Sequence, residues 1–384
     1  MLTSSKLSLE RKYEIKNIIF NLTWCLLLTQ VLIFNSTLPA PPFKVTILCL
    51  ILLAFCALFP FDYNLKEIFI VGAGGILTLI LCYKMKLNSI LWVYMFIVCS
   101  KGISLKPIFK KTLFIYILFL ALCFILSQIG IIPEAVRDNG GTFELKHSLG
   151  TVDANTTHSI LLFVVALFFC IYYKKLKYWH LVILFVLNAF IYSFTICRTS
   201  ALIIYFVLII AFIEKLISSH ISEKTHNILN ALMIVCIISV ILFFTIVPVI
   251  YNAGLPAPAQ NVLSKINNLI TGRFYLANEF LKNNGIGLFG NYLPDMVNVA
   301  ERSSYLDIGY SVLLIQYGLI FYFIFVFGHI ALLVRFYKKQ DFGFLLGITT
   351  ILLHMTCENT ATMIFFNVLY FYFRDFIYKG KKPD

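Results

Sequence analysis

The feature that most constrains this chain is a succession of apolar runs, each near the length of a bilayer crossing, separated by short polar breaks. They lie near residues 17–36, 45–61, 67–83, 88–105, 112–132, 158–173, 179–197, 199–217, 229–250, 309–331, 342–357 and 360–376. A helix needs roughly 20 apolar residues to cross the hydrocarbon core, so a dozen crossings would consume about 240 residues. That leaves a modest remainder of the 384 residues for loops. Composition points the same way, with 60% hydrophobic and only 13% charged residues, where soluble domains carry about 25% charged. One water-soluble core could not hide such an excess. The expected fold is all-α: a polytopic membrane helical bundle of about 12 transmembrane helices, one transmembrane domain over residues 1–384. The 38 Phe and 21 Tyr suit lipid-facing and interfacial surfaces.

The ten cysteines all fall in or beside apolar runs, with no CxxC pair and no His-rich spacing. They read as packing residues, so no disulfide framework, metal site or cofactor is expected. The N-terminal stretch MLTSSKLSLERKYEIK lacks a small-residue cleavage site behind a short apolar segment. It reads as the start of a retained first helix. The net charge of +13 is scattered in short clusters between apolar runs. That is the pattern of membrane topology and not of nucleic-acid binding.

Placing the N-terminus inside puts the C-terminus inside too, and most of the 31 Lys and Arg then fall on inner segments. The clusters from Lys101 to Lys111, Lys174 to Lys177 and Arg335 to Lys339 carry this bias. Lys84 and Lys86 run against it, in a short outer turn. Two outer loops break the pattern of short turns, at residues 133–157 and 251–308. Loops beyond about 12–15 residues are usually functional or disordered. The second has helical spacing of Val262, Leu263, Ile266, Leu269 and Ile270, then Tyr275, Leu276 and Phe280. Gly285, Gly287 and Gly290 then punctuate a tight turn, so a partly helical, ordered outer segment is expected.

Charges beside or within spans are functional candidates, because an unpaired charge in lipid is expensive. Arg198 stands alone between two long apolar runs, either facing an outer cavity or snorkelling from a hairpin. Arg273 precedes a helix and the glycine turn, and guanidinium suits bidentate phosphate contact. Asp307 sits where the loop re-enters the membrane; it is either a partly desolvated base or the N-cap of the tenth span. Glu358 lies near His354 between two apolar runs, either paired to a cation such as Arg198 or Arg302 or solvated in a turn. Arg137, Lys146 and His147 of the shorter loop are candidates to face an anionic ligand.

In four stretches the chain resembles the Wzy polymerase and O-antigen ligase group of bacterial envelope glycosyltransferases. They are KGISLKPIFKK, RDNGGTFELKHSLGTVDANTTHS, CRTSA, and TGRFYLANEFLKNNGIGLFG followed by YLDIGYSVLLIQYGL, spanning roughly residues 100 to 360. The order and topology of these short motifs carry the likeness. The resemblance implies a GT-C-like fold in the bacterial cytoplasmic membrane, with both termini cytoplasmic and the active site on the outer face. It implies a metal-independent enzyme moving a glycan from undecaprenyl diphosphate onto another lipid-linked repeat unit, for O-antigen or capsule. Arg273 and Arg198 would neutralise the departing diphosphate and Asp307 would take the acceptor proton. Arg302, Arg137, Lys146 and Glu358 would bind substrate. A chain-length regulator and a flippase of the same pathway would be partners. Ligases of the group resemble one another in a His near the end of the large loop. No His lies between residues 251 and 328 here, which favours polymerase over transfer to lipid A-core. Asn284 stands where some polymerases place a glycine after the arginine, and Gly285 comes next. A lipid-linked oligosaccharide flippase or other transporter is the reading of a different class, although no paired halves are visible in the sequence.

Overall fold

Almost every apolar run becomes a helix. The computed structural model describes residues 2–39, 45–59, 62–138, 145–218, 220–293 and 306–378, with side chains of the first helix from residue 11 onward. In chain order the first eight helices are α1 (Leu2–Phe34), α2 (Thr46–Leu58), α3 (Leu65–Met85), α4 (Ser89–Cys99), α5 (Leu105–Gln128), α6 (Ala154–Tyr172), α7 (Tyr178–Thr195) and α8 (Arg198–Ile217). A short antiparallel hairpin, β1 (Val136–Asp138) and β2 (Leu145–His147), stands between α5 and α6. Then follow α9 (Glu223–Ile250), α10 (Ala257–Leu269), α11 (Arg273–Asn284), α12 (Gly309–Lys338) and α13 (Phe342–His354). Among the described residues, eight helices are long and apolar enough to cross a membrane: α1, α3, α5, α6, α7, α8, α9 and α12. The apolar α2, α4 and α13 are shorter. The chain is thus a multi-pass helical membrane protein.

The twelfth apolar run differs from expectation. Residues 361–366 form turns, Val368–Phe373 a 3-10 helix and Arg374–Ile377 a single helical turn. Its apolar side chains serve the protein interior: Ile364, Phe366, Val368, Leu369 and Phe371 are all buried. Hydropathy reports burial without saying whether lipid or protein does the burying, which is why the run read as a span.

Contacts divide the chain into two compact units, Met1–Ala73 with Val93–Ile217 and Val368–Asp384, and Gly74–Trp92 with Ser218–Asn367. In the first, Trp24 meets Phe96 and Phe371 edge-on, each at 5.0 Å between ring centroids. Its indole donates to Thr112 Oγ1 at 2.8 Å, which ties α1 to α5 and satisfies a buried N–H. α6 is the central helix, with 72% of its apolar window buried against 28% for α7. Asp153 caps α6 by accepting from the Thr156 amide at 2.8 Å. Just before it, Gly150 has φ +85° and no room for a side chain, since a Cβ would lie 2.6 Å from the Cys123 carbonyl oxygen.

Polar side chains close the ends of the helices in this unit. Arg374 is buried and donates to the carbonyls of Ser100, at 2.7 Å, and Ile103, in the turn that joins α4 to α5. Lys101 donates to Glu67 at 2.7 Å and to the Asp62 carbonyl, with the Tyr63 ring 4.4 Å away. Burial pushes the Tyr63 phenol up to about 12. It therefore stays protonated and donates to the Ala57 carbonyl at 2.7 Å.

In the second unit α9 packs on α11, α12 and α13. Phe274 of α11 is fully buried among Phe243, Phe244 and Tyr251. Asn278 of α11 donates to the Pro248 carbonyl of α9 at 2.8 Å. The stretch from 257 to 284 folds as two helices, as its spacing predicts, broken at Thr271 and Gly272, both at positive φ.

Candidate functional site

Three segments of the second unit bring charges to one place. Arg273 is the first residue of α11, Asp307 lies two residues before α12, and Glu358 lies in the turn after α13. Arg273 Nε stands 3.5 Å from Asp307 Oδ2, and Nη2 stands 3.9 Å from Glu358 Oε1. Arg273 Nη1 donates to the Cys357 carbonyl at 2.6 Å. The Arg273 side chain is 14% exposed, against 35% for Asp307 and 21% for Glu358. Partial withdrawal from water strengthens these interactions relative to a surface pair.

Local structure accounts for the position of each group. Arg273 starts α11 because Gly272, at φ +80°, turns the chain sharply after α10. No side chain at the N-cap satisfies the first amides of α11, and Asn267 of α10 does so instead. Its Oδ1 accepts from Phe274 N at 2.9 Å and from Tyr275 N at 3.2 Å. On the opposite side, Gly309 N donates to the Met355 carbonyl at 2.9 Å. A Cβ at Gly309 would lie 2.9 Å from the Glu358 carbonyl oxygen, so only glycine lets the start of α12 rest on this turn. That contact sets Asp307 and Glu358 on the same arginine. The N-cap of α12 is Ile308, without a side-chain cap, so Asp307 does not serve as the cap of the tenth span. Glu358 is not simply solvated in its turn either, and a cation beside it among the described residues is Arg273.

The segment after α11 reaches α12 mainly through backbone groups. α12 is interrupted by a π-helical turn at Leu313–Tyr317, ending at Gly318 with φ +83°. Gly287 and Leu288 accept from Leu319 N at 3.0 Å and Ile320 N at 3.2 Å, while Asn291 N donates to the Gln316 carbonyl at 3.1 Å. The Asn291 side chain donates to the Ile315 carbonyl at 3.1 Å. Backbone groups released by the break are thereby paired, as a helix in lipid requires. A Cβ at Gly290 would lie 2.0 Å from Gln316 O, and one at Gly318 would lie 2.2 Å from Gly290 N. The same break holds a chain of hydroxyls, with Tyr317 Oη 3.0 Å from Ser89 Oγ and 2.8 Å from Thr362 Oγ1.

Arg198 opens α8 in the first unit and is exposed, after Ile196 in a left-handed conformation closes α7. Arg137 and Lys146, also in the first unit, sit directly opposite one another across the hairpin. His147 pairs with Glu134 at 3.1 Å. Arg302 lies outside the described residues. Lys282 and Glu279 pair at the surface at 3.0 Å, an ordinary helix pair.

Asn267 and Gly309 went unnoticed in the sequence. Asn267 is one of several Asn in a polar stretch, and its role appears only once α10 has turned into α11. Chemically, the described residues of the cluster offer one guanidinium and two carboxylates. An incoming phosphate would exchange with Asp307 and Glu358 for the Nε and Nη2 edge. That exchange frees a carboxylate beside the bound anion, where it is placed to accept a proton. Among the described residues, no group of three His, Cys, Asp or Glu stands close enough to hold a metal ion. Comparison of the chain with family models, with curated proteins and with solved structures gives no match.

Proposed function

We propose that this chain is a polysaccharide repeat-unit polymerase of the Wzy polymerase and O-antigen ligase group. It would be a GT-C-like bundle of about 12 crossings in the bacterial cytoplasmic membrane, with its site on the outer face. The observation that carries this reading is the meeting of Arg273, Asp307 and Glu358 from segments far apart in sequence. In the proposed reaction an acceptor hydroxyl of one lipid-linked unit attacks the anomeric carbon of another glycan. The bond from that carbon to undecaprenyl diphosphate breaks. Arg273 stabilises the charge that develops on the leaving diphosphate, and Asp307 takes the hydroxyl proton. The donor is already activated, so no nucleotide is required.

Deletion of the gene, read on a polysaccharide gel, tests the activity. A polymerase deletion keeps single capping units and loses the length ladder. A ligase deletion loses surface attachment while polymer still accumulates on the carrier lipid. Arg273→Ala and Asp307→Asn, expressed at wild-type level, are each expected to shorten or abolish the ladder. Full chain length in Arg273→Ala overturns this assignment.

The interrupted α12 favours a second reading, because transporters often use broken helices to line a substrate path. A flippase deletion would leave lipid-linked units on the inner leaflet. A polymerase deletion would leave them accessible from outside.

A further inference from the structure

We infer that a groove between α1 and α5 binds the headgroup of an anionic phospholipid, independently of the reaction proposed above. The groove is shallow, about 380 Å³, and is lined by Cys25, Lys110, Lys111, Phe114 and Ile115. Its wall is almost wholly apolar, with Lys110 and Lys111 contributing their aliphatic stems, and no carboxylate lines it. Lys106, Lys110 and Phe114 lie four residues apart in one row on α5, and Leu118 follows Phe114 at the same spacing. The lysines are exposed and Phe114 is 65% exposed, so the face passes from cationic to apolar without a protein covering.

Depth agrees with this pattern. From Lys110 to the end of α5 at Gln128 the helix rises roughly 27 Å, close to the thickness of the hydrocarbon core of about 30 Å. With Gln128 at one boundary, Lys110 and Lys111 stand at headgroup level at the other, and Phe114 and Leu118 lie where acyl chains run. Lys111 is already placed, since its ammonium donates to Asn21 Oδ1 of α1 at 2.8 Å. Asn21 is buried and is itself held by Asn17, whose carbonyl accepts from Asn21 Nδ2 at 2.7 Å. Lys111 has two further protons to offer a phosphate. Exposed ammonium groups beside an apolar groove at this level suit an anionic phospholipid such as cardiolipin, its phosphate on the lysines and an acyl chain along the groove.

Native mass spectrometry of the full chain in mild detergent, offered equal amounts of cardiolipin and phosphatidylcholine, tests the inference. Wild type is expected to retain cardiolipin, with a preference of about tenfold. K110Q/K111Q is expected to lose that preference, and K174Q/K175Q, with the same change in charge, to keep it. Equal loss in both variants would show a general charge effect and overturn the site. Displacement of the lipid by millimolar inorganic phosphate would show a simple anion site and overturn the lipid assignment. A dimer that disappears in K110Q/K111Q without any lipid adduct would assign the groove to a second copy of the chain instead.

Discussion

At the scale of single residues, the second unit depends on positions where a side chain has no room. Gly290 combines φ +74° with a Cβ position 2.0 Å from Gln316 O, whereas Gly254 has φ +75° and nothing within 4 Å. Gly254→Ala would meet only the left-handed backbone penalty of about 1–2 kcal/mol. Gly290→Ala adds a collision with backbone and is expected to lower the thermal midpoint in detergent clearly further. Equal midpoints for the two variants would show that the segment 285–291 does not dock on α12. The arginine is a residue-scale matter of another kind. Its importance was legible from its chemistry and its place before a helix. Its partners were not, because the carbonyl it binds is 84 residues away in sequence and no local pattern records that distance.

At the scale of elements, α11 is the part that aims Arg273, and it is held from α10 and α9. Asn267→Ala removes the acceptor of two amides at the start of α11. It is expected to cost about 1 kcal/mol, as the loss of an N-cap does, and to shorten the product ladder more than so small a loss of stability explains. Asn267→Asp keeps the acceptor and is expected to restore both. A ladder unchanged in Asn267→Ala would show that α11 holds Arg273 without this cap. The helices of the large loop were readable because their apolar spacing was helical. The break in α12 was not, since YSVLLIQYGL contains no proline and its only breaker is Gly318. The segment 285–291 that pairs with it lies beyond the reach of sequence periodicity.

At the scale of the whole molecule, membrane topology is open to a direct test within the first unit. Leu145 lies on β2 and Lys174 just beyond α6, a helix long and apolar enough to cross the bilayer. In a background without the ten native cysteines, Leu145→Cys is expected to react with a membrane-impermeant maleimide applied from outside. Lys174→Cys is expected to react only after the membrane is opened. Reaction of both from outside would mean that α6 does not cross, and the reverse order would invert the orientation.

The sequence by itself determined the solvent. Sixty per cent hydrophobic residues, broken at intervals of one membrane thickness, permit little but helices in lipid, because each helix satisfies its own backbone and each span meets the requirement alone. It also marked Arg273 and Asp307 as charges in unusual places. Only the tertiary structure decided that Glu358 joins them and that Asp307 caps no helix. Only the structure shows that the last apolar run is buried in protein in place of forming a regular span. The first of those outcomes depends on a backbone approach at Gly309 between segments remote in the chain. Contacts of that kind leave no periodic trace in one dimension.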